Sequence, residues 1–266
     1  MQRRFQEIQR KRRGAGERIA FAGMMALGVA GYVVCLRVAD VDFARLWDGL
    51  PRLFGWLARA WPPDLSEVDI LAYRTLETLA MGTVGTSFGV VLAVPICVLA
   101  ARNLAPAPWL YYPARALLNM LRGIDSFIFA LILVAAVGLG PFAGVLGLAL
   151  HATGSIAKLW AESIEGVEPG PMDAVTMTGA SRLRTIRYAL VPDLLPSLMS
   201  ITLYIWEWSV RASTVLGVVG AGGIGQELKN SVDLLQFDRV LTILAFILVM
   251  VTVIDSISAQ LRRRLV

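Results

Sequence analysis

The sequence has little charge and almost no cysteine or histidine. Charged side chains make up 17% of the 266 residues and hydrophobic ones 56%, with two cysteines and one histidine. Cys35 and Cys97 each lie alone in an apolar run, so we expect small buried hydrophobic residues there, and neither a disulfide nor a metal site. This composition is too apolar for an ordinary soluble domain and indicates a polytopic membrane protein.

Several motifs of catalysis and nucleotide binding are also missing. There is no GxxxxGK followed by Ser or Thr, so ATP is not expected to bind this chain, and neither HExxH nor GxSxG occurs. The segment GVVGAGGIG only superficially matches GxGxxG, because it follows an apolar run instead of a strand. The net charge of +5 comes without a basic face or aromatic motif. We therefore expect no catalytic residue, no bound cofactor or metal, and no nucleic-acid partner.

Six apolar runs predict six membrane spans in an all-α bundle. A turn at Gly138–Pro141 separates the third span from the fourth, and the third is expected to start earlier, near Ala114. The predicted spans are Ile19–Leu36, Leu76–Ala100, Ser126–Leu139, Phe142–Leu159, Leu198–Val219 and Val240–Ser258.

The distribution of lysine and arginine predicts that both termini lie in the cytoplasm. With the amino terminus inside, 17 of the 25 basic residues fall on the inner side and seven on the outer side, while Arg211 falls within a span. Basic residues accumulate on the cytoplasmic side of membrane proteins, which favours this orientation.

Four regions follow from these patterns. Residues 1–18 form a basic cytoplasmic leader, and residues 19–75 hold a signal anchor that is retained, followed by an external amphipathic segment. Residues 76–260 form the core with a cytoplasmic loop at 161–196, and residues 261–266 form a cytoplasmic tail. A lipoprotein signal ending at Cys35 is an alternative for the start of the chain. The amphipathic segment suits either the membrane interface or a soluble partner.

Glycines at helical spacing mark the second span. Gly82, Gly85 and Gly89 would allow neighbouring helices to approach closely, although a moving hinge is an alternative.

The loop at 161–196 is the longest polar segment that the topology places inside. Residues Met172–Gly179 can form one short helix with small side chains, and Ser181 can cap a second one, which Pro192 and Pro196 would close. Two such helices can dock into a groove of a soluble partner.

A few polar residues lie inside the apolar runs. Glu207 and Arg211 are four apart, so they share a helix face and can pair, either as a structural ion pair or beside a solute path that attracts an anion. His151 and Asp255 are each expected to contact either packing neighbours or that path. Trp206 and Trp208 are expected to be lipid or interface contacts and not a binding cage. The glycines Gly220, Gly222, Gly223 and Gly225 suggest an irregular segment near the outer face, which either gates the external mouth or forms a plain re-entrant turn.

The loop resembles the cytoplasmic EAA loop in permease subunits of bacterial ABC importers. That pattern is Glu-Ala-Ala, three residues, Gly, nine residues, Ile, one residue and Leu-Pro. Asp173-Ala174-Val175, Gly179, Ala189, Val191 and Pro192 fall at these spacings, with Asp, Val, Ala and Val as four substitutions.

The flanking spans sharpen the resemblance. Residues Val137–Glu165, Ser213–Gly225 and the pair Glu207 and Arg211 look like the phosphonate permease of the methionine-permease-like branch, from about Thr75 to the carboxyl end. The family often has Asn before the Val-Arg pair, where this chain has Ser209.

This resemblance implies a type I ABC importer permease fold in the bacterial inner membrane. It implies a second permease subunit, identical or paralogous, two cytoplasmic ATPase subunits that bind ATP and Mg, and an extracytoplasmic solute-binding protein. The cargo would be phosphonate or a related phosphorus oxyanion such as phosphite or phosphate, with methionine or another solute as an alternative. The implied ATPase-docking residues are Asp173, Ala174, Met177, Gly179, Ala180 and Arg182.

Two other classes of protein fit the sequence less well. A secondary transporter would show two related halves with matching broken helices, and no such repeat is visible. The other class is a membrane scaffold without a transport role. Purification with an ATPase would distinguish an importer subunit from such a scaffold.

Overall fold

The computed structural model of this protein describes residues 15–265, without the side chains of residues 15–19, 169, 182, 183 and 265. The predicted leader therefore lies mostly outside the described residues. Those residues form helices and no strands. The helices are α1 (Ala15–Val38), α2 (Phe43–Arg59), α3 (Val68–Ala100), α4 (Pro108–Gly123), α5 (Ser126–Val137), α6 (Pro141–Glu165), α7 (Pro169–Met177), α8 (Arg182–Thr185), a π-helical turn (Ile186–Leu190), α9 (Val191–Leu216), a 3₁₀ turn (Gly217–Val219), α10 (Gly223–Asp233) and α11 (Phe237–Leu265).

Within this part of the chain, five helices are long and apolar enough to cross a bilayer, and there are six spans if α4 and α5 together count as one. The five are Ala20–Val38, Val68–Ala100, Pro141–Glu165, Ile186–Val219 and Phe237–Arg264. The prediction of an all-α bundle with about six spans is confirmed.

The chain divides into two compact units at residues 56 and 57. The first unit holds α1 and the greater part of α2. Asp42 caps α2, because its Oδ1 accepts a hydrogen bond from the Ala44 amide at 2.8 Å, and Arg45 pairs with Asp40 at 2.9 Å. None of the side chains of α2 is buried; the apolar residues Phe43, Leu46, Trp47 and Phe54 on one face are each more than 60% exposed, and Arg45, Arg52 and Arg59 recur every seven residues on the other face.

The second unit is built around α3 and α6, which pack closely through small residues. A Cβ added at Gly89 would lie 2.6 Å from the Ala152 Cβ, and one at Gly85 would lie 2.8 Å from the Leu148 Cβ, both on α6. A Cβ at Gly82 would meet Val210 of α9 at 2.8 Å. The predicted packing role of these three glycines is confirmed.

The third predicted span is not a continuous helix. The chain breaks at Ile124 and Asp125, and α4 and α5 meet at 88°. The predicted start of the third span near Ala114 lies within α4, and the chain between there and the end of α5 is broken because Asp125 starts a new helix. Its backbone is extended, and its side chain accepts a hydrogen bond from the Phe127 amide at 2.8 Å.

The second half of the loop is continuous with the next span. Pro192 and Pro196 do not close the helix, contrary to the prediction, and Ile186–Val219 forms one long helical span. A proline in an α-helix lacks an amide donor and crowds the carbonyl four residues earlier. The wider π-helical turn Ile186–Leu190 lies directly before Pro192, where such a helix needs extra room.

Candidate functional site

The helix α7 presents an exposed surface on the loop. Asp173 and Ala174 are exposed, and the Met177 side chain is 87% exposed although it is large and apolar. Met172, on the inner side of the helix, packs against the hydrophobic core that contains Ile164 and Leu190. The inner side therefore holds α7 against the bundle while its outer side is free to meet another molecule.

Gly179 ends α7 in a left-handed turn. Its φ is +78°, and its amide donates to the Thr176 carbonyl at 3.0 Å. Glycine adopts this conformation without steric cost, which is why it is common after the last turn of a helix. Ala180 follows half-buried, and the Arg182 side chain lies outside the described residues.

The next helix starts directly after Ser181, as predicted. The Ser181 carbonyl accepts hydrogen bonds from the amides of Arg184 and Thr185. Thr185 and Leu190 are buried, whereas Arg184 and Arg187 are exposed. The two short helices therefore share one exposed surface, which combines small, apolar and basic residues.

Arg115, in the middle of α4, joins the ends of α3 and α6 at the base of this loop. Its Nε donates to the Ala100 carbonyl at 2.9 Å, at the end of α3, and its Nη2 lies 2.7 Å from Glu165 Oε2, at the end of α6. Glu165 Oε1 also accepts a hydrogen bond from the Arg102 amide at 2.7 Å. The guanidinium lies 5.4 Å from the centre of the Tyr111 ring. We call this group of contacts the arginine clasp.

A second group of charges lies between α9 and α11. Glu207 is buried, 8% exposed, and pairs with Arg211 one turn later through its Oε1. Its Oε2 accepts a hydrogen bond from Arg262 Nη2 at 3.1 Å. Asp255 Oδ1 lies 3.7 Å from Arg211 Nη2. The predicted pair of Glu207 and Arg211 is confirmed, and it is part of a group of four.

Arg211 also faces open space. A cavity of about 500 Å³ is lined by Arg211, by Asp125 and Ser126 at the start of α5, and by the aromatic rings of Phe127, Tyr204 and Trp208. A guanidinium with half of its surface accessible in such a cavity is suited to hold a small anion.

His151 lies behind one wall of this cavity. Its ring stacks on Trp208, with the ring centres 4.5 Å apart, so Trp208 contacts protein at this position. The Nδ1 of His151 lies 3.1 Å from the Ile124 carbonyl, which only accepts, so Nδ1 donates there. In the neutral ring Nε2 then accepts from the Ser155 hydroxyl at 3.4 Å. Trp206, the other indole of this helix, donates to Thr83 at 3.0 Å.

The predicted glycine segment joins α9 to α10 through irregular backbone. Gly220, Gly222 and Gly223 all have positive φ, and Gly222, Gly223 and Gly225 are buried. The Gly220 carbonyl accepts a hydrogen bond from the Gly140 amide at 3.0 Å, and the Ile224 amide donates to Thr78 Oγ1 at 2.8 Å. The segment is therefore held against α3 and against the turn before α6. A gating role for it remains a prediction.

A network of ion pairs surrounds this end of the bundle. Arg74 pairs with Glu77 at 2.8 Å and with Glu227 at 3.3 Å, while Arg239 pairs with Glu227 at 3.0 Å and with Glu67 at 2.7 Å. Hydrogen bonds from Ser66, together with the charge of Arg239, lower the pKa of the nearby Asp64 below its usual range.

The structure thus places the predicted docking residues and the predicted charged residues in two regions. The docking residues occupy α7 and the turn after it, while Glu207, Arg211 and Asp255 lie on α9 and α11. The sequence analysis missed Arg115 and Arg262 as partners of these regions. Asp255 and Arg262 are seven residues apart and therefore lie on one face of a helix. This spacing could have predicted that Arg262 lies on the same side of α11 as Asp255.

Comparison with known proteins identifies the class to which this bundle belongs. Residues 93–266 match the family described as binding-protein-dependent transport system inner membrane component. The chain belongs to this family, which makes it a transport component of an inner membrane.

Three relatives have names that also state a transported solute. The chain is 48% identical, over 96% of its length and 88% of the relative's, to HtxC of Stutzerimonas stutzeri, provisionally named a phosphite transport system permease protein. It is 41% identical to the phosphite transport system permease protein PtxC of the same species, over 87% of this chain and 84% of PtxC. It is 38% identical to the phosphate-import permease protein PhnE of Mycolicibacterium smegmatis, over 94% of this chain and 47% of PhnE.

Solved structures support the same fold. A chain of the methionine ABC transporter MetNI in an inward-facing conformation matches with a TM-score of 0.67 and 24% identity, over 76% of this chain and 99% of that chain. The predicted permease fold is therefore confirmed. The relatives are named as transport permeases and not as enzymes.

Proposed function

We propose that this chain is the membrane-spanning permease subunit of an ABC importer for phosphite, phosphonate, phosphate or a related phosphorus oxyanion. The observation that carries the proposal is the exposed surface of α7 and its glycine turn, which a cytoplasmic ATPase would contact. The names of the relatives support the choice of cargo. ATP and Mg would bind the ATPase, and no cofactor would bind this chain.

The proposed assembly has two permease subunits, identical or paralogous, two ATPase subunits and an extracytoplasmic binding protein that delivers the anion. Both termini and the loop would face the cytoplasm, which is supported by the excess of basic residues on that side. The amphipathic helix α2 would lie at the outer surface of the membrane, with its apolar face among the lipids.

Transport would proceed by alternating access. ATP would favour one conformation of the ATPases, and α7 would pass the change to α6 and α9, which the loop connects. Arg211 would contact the anion in the cavity, with His151 supporting the cavity wall through Trp208. The segment from Gly220 to Gly225 would border the external mouth.

Reconstituted transport tests this proposal. The proteoliposomes would contain the permease and its ATPase, with phosphite-loaded binding protein added. We expect them to accumulate phosphite only when ATP is present on the side of the membrane where the ATPase lies. Uptake of methionine in place of phosphite would contradict the proposed cargo. Uptake driven by an ion gradient without ATP would indicate a secondary transporter. Failure of the permease to purify with any ATPase would contradict the importer itself.

A further inference from the structure

The carboxylate of Glu207 is shared between two arginines from different helices. Arg211 of α9 contacts Oε1, and Arg262 of α11 donates to Oε2 at 3.1 Å. The two arginines are not equivalent, because Arg211 lines the cavity whereas Arg262 is not among the residues that line it.

Arg211 has a second acidic neighbour that is poorly satisfied. Asp255 Oδ1 is buried, makes no hydrogen bond within the described residues, and lies 3.7 Å from Arg211 Nη2. Arg211 is also the most exposed of the four charged side chains, at 47%. Its guanidinium therefore has both a neighbouring acceptor and open space into which it can turn.

Turning Arg211 away from Glu207 has an electrostatic cost. A buried carboxylate that loses its only cation is strongly destabilised, because its charge remains in a poorly solvated environment. Arg262 changes this cost, since it keeps one oxygen of Glu207 paired while Arg211 moves.

We propose that Arg262 is a positioning residue, which holds Glu207 so that Arg211 can leave it and contact the transported anion. This inference rests on the proposed function. When an anion passes, Arg211 would leave Glu207 and pair with the anion. The charge of Glu207 would remain compensated by Arg262 near the end of α11.

The test compares Arg262→Gln with Arg264→Gln in the complete transporter, which contains the ATPase and phosphite-loaded binding protein. Arg264 has the same charge two residues further along α11 and is exposed, so its replacement controls for the loss of one basic residue near the terminus. We expect ATP-driven phosphite uptake to fall by about fivefold or more in Arg262→Gln, within the range of coupling between contacting charges. Uptake should be unchanged in Arg264→Gln and mostly retained in Arg262→Lys.

A double-mutant cycle separates positioning from general stabilisation. In Glu207→Gln the carboxylate is absent, so Arg262→Gln should have no additional effect on uptake, and thermal unfolding of Arg262→Gln should remain close to that of the unsubstituted protein. An equal loss of uptake in both backgrounds would overturn the proposal, as would a loss of uptake that follows a fall in melting temperature.

The outcomes also separate this inference from the proposed function. If the unsubstituted complex transports phosphite but Arg262→Gln transports it equally well, only the role of Arg262 is wrong. If Arg211→Ala transports at the full rate, the contact between Arg211 and the anion is wrong, and the role of Arg262 falls with it. If the unsubstituted complex transports no phosphorus oxyanion, the proposed function fails first.

Discussion

At the scale of single residues, Arg115 contacts the ends of two other helices at the loop end of the bundle. One guanidinium contacts the last carbonyl of α3 and the last carboxylate of α6, so the helix that leads into the loop is tied to the helix that precedes α4. A force applied to the loop would reach α3 through these contacts as well as through the covalent chain.

We expect Arg115→Ala to weaken this connection. The substitution removes the charge-assisted hydrogen bond to the Ala100 carbonyl, worth about 1.5–3 kcal/mol, and the ion pair with Glu165. Phosphite transported per ATP hydrolysed should fall while the ATPase still binds. Arg122→Ala is the control, because Arg122 lies exposed on the same helix. Equal coupling in both variants would contradict a role for the clasp.

Gly179 gives a second prediction at this scale. A β-branched residue at its φ of +78° is strained by about 1–2 kcal/mol, so Gly179→Val should distort the turn after α7. We expect the variant to insert normally in the membrane and to purify with much less ATPase. Gly170→Val is the matched control, since Gly170 is exposed on the same loop and no atom lies within 4 Å of an added Cβ. Full ATPase recovery with Gly179→Val would show that the turn is not part of the docking surface.

At the scale of helices, the close contact of α3 with α6 depends on residues that have no side chain to interfere. Such contacts matter more in a membrane, because lipid provides no hydrophobic drive for helices to associate. The small residues of α3 face two helices, since Gly85 and Gly89 meet α6 and Gly82 meets α9.

Gly89→Val should therefore destabilise the bundle. Its Cβ would begin 2.6 Å from that of Ala152, and overpacking of this kind costs about 1–3 kcal/mol. We expect a lower melting temperature of the purified protein in detergent. Gly28→Val provides the comparison, because Gly28 lies in the apolar helix α1 with open space around it. A melting temperature that falls as much in Gly28→Val would indicate a general effect of the added volume.

Some of these elements could be predicted from the sequence and others could not. The spacing of Gly82, Gly85 and Gly89 is local, so the pattern alone indicated the packing face. The break at Asp125 was missed although Gly123, Asp125 and Ser126 interrupt the apolar pattern there, because the direction of the helices on either side has no local signal. The effect of Pro192 was misjudged because a π-helical turn precedes it. The contact of Arg262 with Glu207 joins residues 55 positions apart, and such distant pairs have no local signal.

At the scale of the whole molecule, ion pairs fasten both ends of the second unit, and small residues fill the space between them. Arg74 and Arg239 connect α3, α10 and α11 at one end, and the arginine clasp connects α3, α4 and α6 at the other. Ion pairs therefore hold the helices together where they leave the apolar layer.

Membrane orientation is the prediction that belongs to this scale. With 17 basic residues assigned to the inner side and seven to the outer side, we expect both termini to be cytoplasmic. Green fluorescent protein fused after Val266 should fluoresce, and alkaline phosphatase fused after Asp233 should be active. Active phosphatase at Val266 would invert the orientation and place the loop where no ATPase can reach it.

The 88° bend between α4 and α5 also accounts for the single imidazole of the protein. A helix that breaks within a membrane leaves carbonyl oxygens without amide partners, and each of them needs another donor. His151 supplies the missing donor to the Ile124 carbonyl, and the face of its ring lies against Trp208 of α9. The break between α4 and α5 is therefore linked through one aromatic stack to α9, which carries Glu207 and Arg211, so a rotation of α9 would also shift the ring that holds the Ile124 carbonyl.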